Sequence, residues 1–310
     1  MKLCALSVDL DEIPCYHAIH GLPMPDDGAA HAVYQRAVPR FLALLQELDV
    51  PCTFFVIGRD LAHGPSAEAA RALADAGHEL ANHTQNHRYD LTRLPRDVIR
   101  REVREAHDAI ARVQGFAPAG FRAPGYTITD TVFDVLADEG VFYDSSVFPC
   151  PAYWAAKATK IGLIRAQGRE SRSVVDTPTV LLAPGDPYVP ARPYWRRSAH
   201  NGSVVELPIG VTRGARLPYI GTSVMAAGPD RVGLLTAQID GRPLVNLEMH
   251  GIDLLDEHDG LGHLRPHQLD VRIPVARKED TLRAVVRDLG RRGYTFVTLR
   301  DAARAFADRA

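Results

Sequence analysis

The feature that most restricts the fold of this chain is a repeated alternation of short apolar runs with longer amphipathic ones. LCALSV (3–8) has the length and composition of a buried strand, and AVPRFLALLQELD (37–49) has the apolar spacing of a helix interrupted near Pro39. CTFFVIG (52–58) reads as a second strand, followed by a helix over 66–77 with Ser66 as N-cap and Gly77 as its stop. HELANH is then a short strand running into a loop, and 95–115 is helical up to Gly115, before AGFRAP, TDTVFDVLADEG and VFYDSS repeat the pattern. Later come a strand over SVVELPIG (203–210), a helix near 230–240, a strand at PLVNLEMHG (243–251), the helix EDTLRAVVRDLGRRG and the strand TFVTL. Repeated βα units place their strands parallel, because the chain returns to the sheet in the same direction only through a crossover. The expectation is therefore an α/β domain spanning 1–310, built as a parallel sheet or barrel; the rhythm alone does not separate the two.

The alternation breaks between about 150 and 202, where PCPAYW and APGDPYVPARPYW bring proline, glycine, arginine and aromatic residues together. The segment exceeds an ordinary connection, so an irregular insertion on the substrate side is expected. Its Tyr153, Trp154, Tyr188, Tyr194 and Trp195 either meet substrate or pack the insertion against the rest of the domain.

Composition removes several classes. A 310-residue chain with 46% hydrophobic residues can bury a large core, and a net charge of −2 with scattered Lys and Arg lacks the basic face of a nucleic-acid binder. No apolar run reaches the roughly 20 residues that span a bilayer, although peripheral contact with membrane-borne substrate stays open. The few residues before Asp9 are too short for a secretory apolar stretch, and Cys4, Cys15, Cys52 and Cys150 form no CxxC pair. A cytoplasmic protein with reduced thiols is expected. Oligomeric state is not readable.

Polar residues capable of chemistry collect at the predicted C-terminal ends of strands, where parallel α/β folds build their sites. Asp9 and Asp11 lie two apart at the end of the first strand, so both carboxylates can face one cavity; an isolated acidic pair is also common in a solvated turn. In His83-Thr84-Gln85-Asn86-His87, one helical turn or a tight loop brings two imidazoles onto one cation. Two histidines and a carboxylate leave a coordination position for water, as catalytic zinc requires, and the same triad suits a non-haem Fe(II) oxygenase. Arg122 in FRAPGY and His250 at the end of LVNLEMH are each unremarkable alone.

In this order, the acidic strand end, HTQNH, FRAPGY and LEMH resemble the motif series of the polysaccharide deacetylase, or NodB-homology, family, carbohydrate esterase family 4. The resemblance covers about 3–150 and 203–300. YDSSVFP and VVELP are similar to a subgroup that includes exopolysaccharide-associated members and, more distantly, lipid-linked aminoarabinose deformylases. It implies a distorted (β/α) barrel with fewer strands than a full eightfold barrel, its site at the C-terminal strand ends. It also implies a divalent metal, Zn²⁺ in first place with Co²⁺ or another transition metal as substitutes, held by Asp11, His83 and His87. Asp9 would be the general base, His250 the general acid, Arg122 the residue that holds Asp9 ionised, and a backbone N–H near Gly125 the support for an oxyanion. The implied activity is removal of an N-acyl group, acetyl foremost, from an amino sugar or glycoconjugate; a deformylase or an amidohydrolase of a small or lipid-linked substrate is the alternative. One departure concerns the first motif, where SVDLDE separates aspartates that are adjacent in most of the family, making Glu12 a rival to Asp11 as ligand. The family's acidic motif orienting the histidine is not evident, and Asp144 and Asp253 are its candidates. His17 and His20 line the substrate mouth or sit on a mobile loop, the loop being favoured.

Overall fold

The computed structural model describes residues 1–25, 27–200 and 202–307, so Asn201, within the expected insertion, lies outside the described residues. Among the described residues eight strands run parallel: β1 Leu3–Asp9, β2 Cys52–Val56, β3 Glu79–Asn82, β4 Gly120–Phe121, β5 Tyr143–Asp144, β6 Val205–Glu206, β7 Leu244–His250 and β8 Thr295–Phe296. Their order is β6-β5-β4-β3-β2-β1-β7, with β8 on the first residues of β1. This is a parallel-strand partial barrel surrounded by helices, the distorted (β/α) barrel expected.

Period-two alternation on β1 and β7 explains how the strands place a site. Cys4, Leu6 and Val8 of β1, with Val245, Leu247 and Met249 of β7, belong to the largest apolar cluster, shared with residues of the helices Val38–Leu48 and Val275–Arg291. The other face looks into the barrel. In register, Leu3↔Leu244, Ala5↔Asn246, Ser7↔Glu248 and Asp9↔His250 run from an apolar floor to a polar rim. The floor is a separate cluster of Leu3, Ala5, Phe55, Tyr143, Leu207 and Leu244, plugged by Leu299, Ala302 and Ala303 of the terminal helix Leu299–Ala307. Between β6 and β7 there is no ladder. The gap is bridged by Gly210 N–H to Asn246 O (2.9 Å) and by Asn246 Nδ2 to Leu207 O (3.0 Å) and Pro208 O (3.3 Å).

Several local expectations are corrected. Pro39 does not interrupt its helix: a π-turn at Val33–Ala37 leads into Val38–Leu48, so proline falls in the first turn, where no intrahelical N–H bond is needed. The following helix is Gly64–Asp75, with His63 at the N-cap position but no side-chain cap; Ser66 lies inside its first turn with Oγ 3.0 Å from His63 Nδ1 and is not the N-cap. The 150–202 segment is not irregular throughout, because Pro151–Ala166 is a helix beginning with Pro151 and receiving a cap from Cys150 Sγ. Its early proline and aromatic residues obscured the periodicity. TFVTL is paired only at Thr295–Phe296, and the terminal helix starts at Leu299. No helix among the described residues is long and apolar enough to cross a membrane.

Candidate active site

The polar rim is assembled from four strand ends. β1 ends at Asp9, and Leu10 N–H bonds Phe55 O (3.0 Å), carrying Asp11 over the barrel mouth. β3 ends at Asn82 and the chain enters a tight loop, the looped form of HTQNH. Thr84 and His87 adopt left-handed φ of 66° and 53°, a conformation that side-chain bonds must hold in place. Asn82 Oδ1 accepts from Thr84 N–H (2.8 Å), Thr84 Oγ1 from His87 N–H (3.0 Å), and Glu102 from both the backbone and side-chain nitrogens of Asn86 (2.8 Å each).

This loop brings His83 and His87 onto Asp11. Asp11 Oδ1 lies 3.3 Å from His83 Nε2 and 3.1 Å from His87 Nε2, with all three residues buried. His83 Nδ1 is 2.7 Å from the carbonyl oxygen of Arg122; donation there leaves Nε2 as a lone-pair donor toward Asp11. Asp11 Oδ1 and both ring nitrogens of His87 make no hydrogen bond among the described residues, an arrangement suited to a cation. Burial opposes ionisation of Asp11, but His87 and His83 outweigh it and hold the carboxyl well below its ordinary range. Glu12 points elsewhere. Its carboxyl accepts from Val33 N–H (3.1 Å) and Tyr34 N–H (3.3 Å), while burial and Asp60 push it up to about 8. Of the two rival carboxylates, the structure gathers Asp11 with the histidines and leaves Glu12 out.

Beside this triad lie Asp9 and the wholly buried Arg122. Arg122 donates to Asp9 Oδ1 (2.6 Å), Ser7 Oγ (2.9 Å), Ser145 O (2.9 Å) and Ser145 Oγ (2.9 Å), and its guanidinium lies 4.0 Å from the Phe55 ring centroid. Such saturation fixes Asp9 as well as its partner. Asp9 Oδ2 is 3.8 Å from His83 Nε2, so it borders the triad without joining the Asp11–His83–His87 set.

His250 does not meet either sequence candidate through its ring. Its Nδ1 lies 3.0 Å from Glu248 Oε1. Asp144 instead bonds Ser146 and faces Glu206 across the β5–β6 register, and Asp253 accepts from the backbone N–H of His250 (2.9 Å). The missed signal was on the strand itself, since Glu248 stands two residues before His250 and shares its face. Burial penalises the imidazolium, but Glu248, Asp11 and Asp9 overcome this and hold the His250 pKa well above its ordinary value.

His17 and His20 are buried on a helix, Ile13–His20, correcting the loop expectation. His17 Nε2 lies 2.9 Å from His263 Nε2, and His20 Nε2 lies 3.1 Å from Gln268 Oε1. A cavity of about 360 Å³ opens from His250 and Tyr126 and runs between His20, the helix at Lys157–Ile164 and Gln268–Asp270. Tyr153 lines it; Tyr188 and Tyr194 instead pack the insertion against the rest of the domain, Tyr188 beside Glu206 of β6 and Tyr194 on Phe133, with Tyr188 O–H donating to Tyr194 O (3.0 Å).

Residues 25–143 match the polysaccharide deacetylase family model, so this part of the chain is similar to that family. The chain is 25% identical over 150 residues to a peptidoglycan deacetylase of Helicobacter pylori (47% of this chain, 49% of that one). It is 41% identical over 71 residues to a chitooligosaccharide deacetylase of Rhizobium leguminosarum bv. trifolii (23% and 32%). The chain thus spans about half or less of these relatives' length. A putative polysaccharide deacetylase of Mycobacterium smegmatis shares its fold, with TM-score 0.60 and 21% identity over 98% of this chain and 90% of that one.

Proposed function

We propose that this protein is a metal-dependent hydrolase that removes an N-acyl group, acetyl foremost, from an amino sugar or glycoconjugate. One observation carries the reading: Asp11, His83 and His87 converge beside an Asp9–Arg122 pair and a Glu248–His250 pair. Amide hydrolysis needs a nucleophile made from water and a proton for a poor leaving group, and a cation-ligand set between a carboxylate and an imidazolium suits both needs. The deacetylase names of the two relatives support the acyl and glycan classes.

On this reading Asp11, His83 and His87 hold the ion, and two imidazoles with one carboxylate are a donor set that suits zinc. When bound, a divalent cation lowers the pKa of water and polarises an acyl carbonyl. Asp9 accepts the proton of the attacking water, kept anionic and aimed by Arg122. His250, charged through Glu248, supplies the proton that the departing nitrogen requires. The test is acetate release from N-acetyl amino sugars in free, nucleotide-linked and lipid-linked form, with metal-stripped and metal-restored protein. Acetate released only by the restored protein is expected. Equal turnover by stripped protein would overturn metal dependence, and formate but no acetate from matched substrates would overturn the acetyl assignment.

A further inference from the structure

Tyr126 stands where the reaction needs a proton. Its hydroxyl is 3.1 Å from His250 Nε2, the ring nitrogen that Glu248 leaves for substrate. A leaving nitrogen arriving from the cavity bordered by both residues therefore finds His250 already engaged. The phenol is not free to swing away. Its ring is held by Phe148 and Tyr153, each at a centroid distance of 5.8 Å, and only 5% of the residue is exposed. The backbone beneath is left-handed at both Gly125 (φ 65°) and Tyr126 (φ 59°), anchored by Tyr126 N–H to Ala123 O (3.0 Å) and by Lys157 Nζ to Gly125 O (2.7 Å).

Counting donors gives the direction of transfer. A charged imidazolium donates from both nitrogens, so Nδ1–H serves Glu248 and Nε2–H serves the Tyr126 oxygen. The phenolic hydrogen is then free to point at another acceptor. We propose that Tyr126 is a catalytic residue whose hydroxyl hands the departing nitrogen a proton that His250 replaces.

This rests on the hydrolase reading above. As the C–N bond of the tetrahedral adduct breaks, its electron pair stays on nitrogen, which takes the Tyr126 hydrogen. The phenolic oxygen takes the Nε2 proton of His250, and the imidazole ends neutral while still donating Nδ1–H to Glu248. One proton has left His250, one N–H bond has formed, and the phenol is regenerated. Burial, with Glu248 and Asp9, keeps the Tyr126 hydroxyl well above the ordinary phenol range, which favours the protonated phenol at rest.

The experiment compares metal-loaded wild type with Tyr126→Phe on an N-acetyl amino sugar and on an aryl acetate, whose leaving group needs no proton. The relay predicts that amide kcat falls by roughly 10²-fold or more, with KM, metal content and ester turnover nearly unchanged. Amide turnover within about threefold of wild type, or parallel loss on amide and ester, overturns it. A ring-fluorinated tyrosine at 126 preserves the shape and acidifies the hydroxyl, which covers the case in which the Phe variant does not fold. It should change amide kcat and its solvent isotope effect while sparing the ester; no change in either overturns the relay. Wild type hydrolysing neither substrate would sink the hydrolase reading and this proposal together, whereas loss of the relay alone leaves wild-type amide turnover intact.

Discussion

Asp9 and Asp11 are two residues apart, yet their neighbours assign them different work. Arg122 saturates one side of Asp9, while Asp11 presents an oxygen to two imidazole nitrogens. On the proposed reading Asp9→Asn keeps the ion but cannot accept a proton, so metal content should survive while kcat drops roughly 10²–10⁴-fold. Asp11→Asn should lower metal occupancy itself, with activity partly restored by excess metal. Metal analysis beside kinetics checks both, and the reverse pattern would exchange the roles. Glu248→Gln tests the imidazolium. Its raised pKa means that His250 holds its proton above the ordinary imidazole range, so its contribution to stability persists at low pH and is lost as pH rises through the folded value. Without the Glu248 charge the alkaline fall in activity should move to lower pH, and an NMR titration of His250 should move with it.

At the scale of elements, β5 and β6 place Asp144 opposite Glu206, both fully buried. Burial and Asp144 raise Glu206 well above the carboxylate range, and burial raises Asp144. A group whose folded pKa is raised stabilises the fold below its unfolded pKa, and that benefit disappears as pH rises through the folded one. Glu206→Gln retains an oxygen for Val147 N–H and removes the group that must ionise beside Asp144 as pH rises, so it should flatten the alkaline loss of stability in denaturant titrations. The helix Pro151–Ala166 poses a different question, because it turns a segment expected to be irregular into a wall of the cavity. Tyr153→Ala, on that wall, should change relative turnover among substrates. Trp195, which packs the insertion against the apolar cluster of Ile99, Phe121, Val132 and Leu136, should on replacement by Ala lower stability and reduce turnover on all substrates alike. Parallel loss in both variants would leave the helix a purely structural role.

At the scale of the whole molecule, barrel assembly and the proposed ion binding are linked because Asp11 follows β1 and His83 and His87 follow β3, so the three meet only when the sheet has formed. A metal restricted to the folded state should raise the melting temperature, by about 2.7 kcal/mol of stabilisation at 100 times Kd, and a chelator should reverse it. Calorimetry with and without chelator checks this; an unchanged transition would count against a resident ion at the triad. The sequence by itself determined the βα order, the strand ends at Asp9 and His250, and the grouping of HTQNH with an acidic strand end. The first two follow from local periodicity and the two-residue alternation of strands, and the third from the resemblance of the motif order to a known family. Only the tertiary structure decided that Asp11 rather than Glu12 meets the histidines, since the choice depends on a π-turn at Val33–Ala37 whose N–H groups capture Glu12. It likewise decided that Glu248, not Asp144 or Asp253, meets the His250 ring, and that Tyr126 caps the other nitrogen. Distances between strand ends come from sheet register and helix packing, and one chain's periodicity carries no record of which ends will face each other.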